Sequence, residues 1–205
     1  GLIVDKQNST EYGAKVNCIN STSFALAVRD TTNSTHPFRV NGAGKIICGG
    51  GIVLGAGQNE NAANLLDDYE KGTWTPVLKF SNQTTGYAVS VAQGSYQKIG
   101  NLVYCKFIYE VNGGSANVSG TWEFHGLPYT VSNDLPNTGQ EGFGQLTYWN
   151  SVNSASNYIF WVQDGGTAFN LMKIPGSGTN STANATNSDV NSSTAVRGSL
   201  VYMAS

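Results

Sequence analysis

From Thr73 onward the apolar and polar positions alternate with a period of two, the pattern of strands with one buried and one wet face. The clearest stretch is "VYCKFIYEV". Val103, Cys105, Phe107, Tyr109 and Val111 fall on one side of it, and Tyr104, Lys106, Ile108 and Glu110 on the other. Further runs are "TWTPVLKF", "GYAVSVA", "SYQKIG", "GTWEFHG", "FGQLTYW", "YIFWV", "FNLMKI" and "GSLVYMA". About nine strands at this spacing predict an all-β head over residues 73–205, a β-sandwich of jelly-roll-like type. Polar stretches join them, the longest being "PGSGTNSTANATNSDVNSST". A loop of that length is ordinarily functional or mobile.

Residues 1–58 have a different texture. Short apolar runs at Leu2–Val4, Phe24–Val28, Phe38–Val40, Ile46–Cys48 and Ile52–Leu54 are separated by "DTTNST", "NGAGK", "GGG" and "GAG". Each suits a short strand, but together they carry too few large side chains to close a core within one chain. They predict a β-rich shaft whose missing faces come from neighbouring chains, as in interwoven trimers. Residues 59–72 read as a neck. Ala62, Leu65, Leu66 and Tyr69 fall at helical spacing between Asn59 as a cap and Gly72 as a stop, which predicts a short helix, with an irregular packed turn as the alternative.

Composition narrows the function classes. Charged residues are 12% of the chain, hydrophobics 40%, and the net charge is -2 with three arginines, Arg29, Arg39 and Arg197. Nucleic-acid binding needs a row of cations, and none is present. No apolar run approaches the length of a transmembrane helix, so no membrane insertion is expected. The chain opens on the polar "GLIVDKQNSTEYG", without a signal-peptide pattern, and reads as a piece of a longer protein. Cys18, Cys48 and Cys105 lack C-x-x-C spacing, so neither a disulfide framework nor a zinc site is expected, and Cys105 reads as a buried thiol. Eight Asn-x-Ser/Thr triplets follow from so much Asn, Ser and Thr and are read as chance.

Candidate chemistry is sparse. "NGAGKI" carries Arg39 and Ile46 where a Walker loop needs glycine and a hydroxyl, so it reads as a hairpin turn; "CGGGIVLGAG" lacks dinucleotide spacing. His36 and His125 have no third ligand and no nucleophile partner, so neither a metal nor a cofactor is expected. Asp67, Asp68 and Glu70 suggest a glycosidase pair, but such acids stand on rigid strands across a groove, whereas these follow one another in a linker. Their expected role is structural: bonding turn amides or pairing with Lys71, with Leu66 and Trp74 packed into the base of the head. No catalytic residue is assigned.

Binding is the remaining class. Aromatic rings beside amides and carboxylates can cover a sugar face and read its hydroxyls. Loops 132–142 and 150–157 are expected to form an apical binding surface. Its candidate residues are Tyr129, Asn133, Asp134, Asn137, Trp149, Asn150, Asn153 and Asp164, with Trp149 as the platform.

Two stretches give this pattern a context. "LLDDYEKGTWTPVLKF" and, some twenty residues on, "GSYQKIGNLVYCKFIYEV" resemble the head region of bacteriophage tail fibre proteins, which share an "LDDYE-x-GTWTP" motif followed by "G-x-Y-x-K-I-G-x-L-V". The closing "AVRGSLVYMAS" is similar to the last strand of such heads, and "FRVNGAGKIICGGGIVLGAG" to the glycine-punctuated shaft before them. The resemblance implies a homotrimeric fibre end on the virion, with a non-enzymatic head that binds a bacterial surface glycan or outer-membrane protein. The alternatives are a polysaccharide-degrading tailspike, with Asp134, Asp164 and Glu123 as its best acids, and a purely structural trimerisation cap.

Overall fold

The computed structural model describes residues 24–30, 35–41, 43–49, 51–53, 65–66, 68–134, 142–152, 157–174 and 182–205. The chain divides into two units, Gly1–Asp67 and Asp68–Ser205.

In the first unit, β1 (Phe24–Asp30), β2 (Thr35–Asn41) and β3 (Ile46–Cys48) form an antiparallel sheet in that order, and β4 (Ile52–Val53) pairs with β5 (Leu65–Leu66). The run "NGAGK" is the β2–β3 turn. The Asn41 side chain accepts the Ala43 and Lys45 N–H groups at 3.1 and 2.9 Å, and Gly44 supplies a φ of 77°. A local Asx-type turn of this kind has no use for a phosphate. Leu2–Val4 and Cys18 lie outside the described residues. The helix expected over residues 59–72 is not observed in its described part: Leu65 and Leu66 are strand β5, and Tyr69–Gly72 belong to the next strand. The spacing of these apolar residues suits both elements, and pairing with Ile52 and Ile99 decides it.

The second unit is one antiparallel sheet built from β6 (Tyr69–Trp74), β7 (Val77–Phe80), β8 (Gln83–Thr84), β9 (Gly86–Ile99), β10 (Leu102–Ser115), β11 (Trp122–His125), β12 (Gly142–Val152), β13 (Asn157–Val162), β14 (Ala168–Ile174), β15 (Ala183–Asn184) and β16 (Val190–Met203). Their order is β6-β9-β10-β16-β12-β13-β14-β11-β7-β8, with β15 on β14. "TWTPVLKF" breaks into β6 and β7 at Pro76, which has no N–H to donate to a ladder. "GYAVSVA" and "SYQKIG" run together as β9, and the last strand starts at Val190, inside the stretch expected to be loop.

Between β12 and β13 the sheet turns a corner. The two strands pair only from Gly142↔Val162 to Gln145↔Ile159, while the rest of β12 continues along β16 with a bulge at Thr147. The corner brings the two halves face to face. Phe107 of β10 lies 5.1, 5.6 and 5.6 Å from the rings of Phe124, Phe160 and Phe169 on the opposite half. Phe107 is flanked in register by Gly94 and Gly198. A Cβ on Gly94 would lie 2.3 Å from Trp74 Nε1, and one on Gly198 2.7 Å from the Phe160 ring, so both glycines give their space to core rings.

The alternation of β10 is borne out: Val103, Cys105, Phe107, Tyr109 and Val111 are all buried. Burial pushes the Cys105 thiol from 9.0 to about 12 and the Tyr109 phenol from 10.0 to about 12. Between those values the folded state holds protons that the unfolded chain has released. Stability is therefore complete below about pH 9 and falls as pH rises toward 12, each group adding a slope of up to about 1.4 kcal/mol per pH unit. Urea midpoints across this range should drop accordingly, and Cys105→Val should flatten part of the fall. Midpoints that stay level would show that the two groups are not sealed in the core.

Candidate functional site

The junction motif folds as one edge of the sheet, and its partner is the second motif. Strand β6 lies along β9 from Tyr69↔Ile99 to Trp74↔Gly94, and the Gly100 N–H donates to the Asp68 carbonyl at 2.8 Å. This is the proximal end of the unit, where Asp68 leads in. On the inner face the Asp68 carboxylate pairs with the buried Lys98 ammonium. The Tyr129 hydroxyl donates to the Glu70 carboxylate and lies 3.3 Å from the Tyr96 hydroxyl, with the Tyr129 ring edge-on to Tyr96 and 5.2 Å from Lys98 Nζ. The hydrogen bonds to Glu70 and Tyr96 hold the Tyr129 phenol well above its ordinary range. These acids are ties between strands, as a structural role requires, but the partners differ from expectation. Asp68 pairs with Lys98 rather than Lys71, and Asp67 lies outside the described residues. Trp74 is buried in the core, whereas Leu66 pairs with Ile52 in the first unit.

The residues expected to form one apical surface are not brought together. Val131 bridges to Ala204 and exchanges backbone hydrogen bonds with Gly165 and Gly166, while the Ser132 N–H donates to the Met203 carbonyl. Tyr129, Asn133, Asp134 and Asp164 therefore cluster at the proximal end. Trp149 and Asn150 lie opposite Val196 and Ala195, about 25 Å farther along β16 at the usual rise per residue. Asn137 and Asn153 lie outside the described residues. Trp149 is 41% exposed and rests edge-on against the buried Tyr158 at 6.0 Å, half platform and half wedge. Among the described candidates the single-surface expectation fails because the eleven-residue strand β12 carries Trp149 and Asn150 along β16, away from the end where Ser132 meets Met203.

Glu123, the third candidate acid, stands on β11 opposite Lys79 and Asn170. That carboxylate is engaged by the Asn82 N–H at 3.0 Å and by His125 Nε2 at 2.9 Å. Among the described residues no group of three His, Cys, Asp or Glu could hold a metal ion.

Sequence reasoning missed the outer face of the half-sheet β6-β9-β10-β16-β12. At the proximal end Tyr69, Ile99, Leu102 and Met203 stand in one register row and are all exposed, Tyr69 by 60%. The next outward row includes Tyr104, Val201, Phe143 (69% exposed) and, past the corner, Trp161. Beside this apolar band runs a trough made of two grooves of about 880 and 400 Å³ that share Thr73, Ser95 and Lys106. Hydroxyls of Thr73, Ser95 and Thr147 and amides of Gln93 and Gln97 line it. Lys71, Lys106 and Arg197 are its charges. The outward phase of Tyr104, Lys106 and Ile108 was the available signal, but their neighbours come from strands far away in sequence.

No family model and no curated protein matches the chain. Among solved structures, the crystal structure of the Dettilon tailspike protein (gp208) matches at a TM-score of 0.50 and 16% identity, covering 66% of this chain and 24% of that one. Among the described residues no helix is long and apolar enough to cross a membrane. The chain is thus an all-β protein that shares its fold with part of a phage tailspike and spans about a quarter of that protein's length.

Proposed function

We propose that this chain is the receptor-recognising end of a phage tail fibre or spike, a non-enzymatic head that attaches the virion to a bacterial surface glycan or protein. The observation that carries the reading is the open outer face of the head, where exposed rings border a trough of hydroxyls and amides. Rings with polar neighbours on a broad, shallow surface suit adhesion better than turnover. The fold shared with part of a tailspike and the resemblance of the junction motif to tail fibre heads support the same reading. The exposed row Tyr69, Ile99, Leu102 and Met203 supports association of identical chains, since apolar patches of this kind are ordinarily covered. A homotrimer is the assembly proposed, and light scattering should give about three times 21.7 kDa.

The test of attachment is binding of the fluorescently labelled protein to a panel of encapsulated and rough bacterial strains. Selective staining, with no reducing ends released from the stained capsules, is expected. Release of reducing ends would favour the polysaccharide-degrading alternative, whose remaining acids, Asp134 and Asp164, lie on adjoining segments at the proximal end. Absence of staining on every strain, with the protein folded, would leave the structural-cap reading.

A further inference from the structure

We infer that the trough on the outer face is a binding site for an anionic glycan, a saccharide polymer bearing carboxylate or phosphate groups. The inference rests on the attachment role proposed above and names the ligand class and the residues that would recognise it.

Charge is the first argument. The protein carries a formal net charge of -2, yet no acidic residue lines either groove and three cations do. Among the described residues Lys71 and Lys106 have no carboxylate within ion-pair distance, and both are exposed. Arg197 is held in place, its guanidinium 5.0 Å from the Tyr148 ring centroid and 3.4 Å from Glu110 Oε1. The other described lysines of this unit are already engaged: Lys98 by Asp68, Lys173 by Asp189, and Lys79 by the Asn82 amide. Of the described lysines of this unit, Lys71 and Lys106 are the two without a carboxylate or amide partner, and both line this channel.

Register fixes the geometry. Lys71 stands opposite Gln97, which stands opposite Tyr104; Lys106 is one outward row farther along β10, and Arg197 lies opposite Ile108, one row farther again on β16. With strands about 4.8 Å apart and outward rows about 7 Å apart, the three cations form a diagonal with steps of roughly 8–12 Å. A linear polymer with an acid group on alternate sugars suits such steps. Between the cations, Thr73, Ser95 and Gln93 offer short donors and acceptors that match sugar hydroxyls. Tyr104 and Tyr148, each more than two-fifths exposed, stand at the two ends as flat apolar faces. Nucleic acid fits poorly, because three separated cations cannot displace the counterion layer that such binding requires.

The test uses the full chain in native affinity electrophoresis through gels containing polygalacturonate, hyaluronate or a phosphorylated mannan, with dextran as the neutral control. At least one charged polymer should retard the protein, the carboxylated and phosphorylated gels separating the two sources of charge, and added salt should weaken the retardation. Lys106→Glu and Lys71→Glu should each reduce it tenfold or more without changing the circular dichroism spectrum. Lys79→Glu, outside the trough, should leave it intact. Equal retardation of the wild type and Lys106→Glu, or equal loss in Lys79→Glu, would overturn the inference. So would lack of retardation by every polymer together with undiminished staining of bacteria by Lys106→Glu; in that case attachment stands and only the trough fails. Loss of staining by the wild type itself is the separate failure of the attachment reading.

Discussion

Phe107→Ala is expected to lower the unfolding free energy by about 3–5 kcal/mol, the range for emptying an aromatic site in a packed core. Phe107 is buried at the point where the folded sheet meets itself, in ring contact with Trp74 on its own half and with Phe124, Phe160 and Phe169 on the other. Its register neighbours are Gly94 and Gly198, which have no side chain to collapse into the vacated space. Phe107→Leu, which keeps much of the volume, should cost clearly less. Urea denaturation of both variants checks the pair. A loss below about 1 kcal/mol for the Ala variant would show that the two halves are not held by this cluster.

Asp68→Ala should cost about 2–4 kcal/mol at neutral pH, because it strands the Lys98 ammonium inside the proximal end. The Lys98 side chain is 11% exposed and that of Asp68 38%, so water on the carboxylate side draws the value toward the lower figure. Removing both charges with Asp68→Ala and Lys98→Met should restore most of the loss, since an apolar pair needs no solvation. A double-mutant cycle measures the coupling directly. If the single replacement is silent, the pair is a surface contact, and the junction motif owes its form to something else.

The sequence was most legible where one strand explains itself. The buried and outward sets of β10 follow from period two alone, because a half-buried strand imposes that period on its own residues. Within residues 59–72, the described Leu65–Leu66 and Tyr69–Gly72 depart from the helical expectation because Leu65, Leu66 and Tyr69 satisfy the helical and the extended pattern alike, and their partners Val53, Ile52 and Ile99 are set by pairing over distance. The same limit hid the role of Asp68: Lys71 is the near cation in sequence, while Lys98 is the near cation in space. Sorting the candidate ligand residues failed for a third reason. Tyr129 and Trp149 flank the same stretch of chain, yet β12 carries the backbone from one end of the sheet to the other between them. The trough was illegible for lack of strand order, since Lys71, Lys106 and Arg197 become neighbours only when β6, β9, β10 and β16 lie side by side.

The position of β16 has a consequence for how the protein is made. It is the last strand in sequence, yet it sits between β10 and β12 and is bonded to both. A ribosome therefore delivers ten strands of this sheet before the one that joins its halves. Until Met203 has emerged, the nascent polypeptide holds two partial sheets whose facing edges are unpaired, the kind of edge that invites pairing with another chain. Pairings this distant in sequence also form slowly. Completion of the sheet is thereby postponed until β16 has left the ribosome, and a polypeptide cut short before Val190 is an aggregation-prone remnant instead of a smaller folded unit. Only polypeptides carried through Met203 can join the two halves of the sheet.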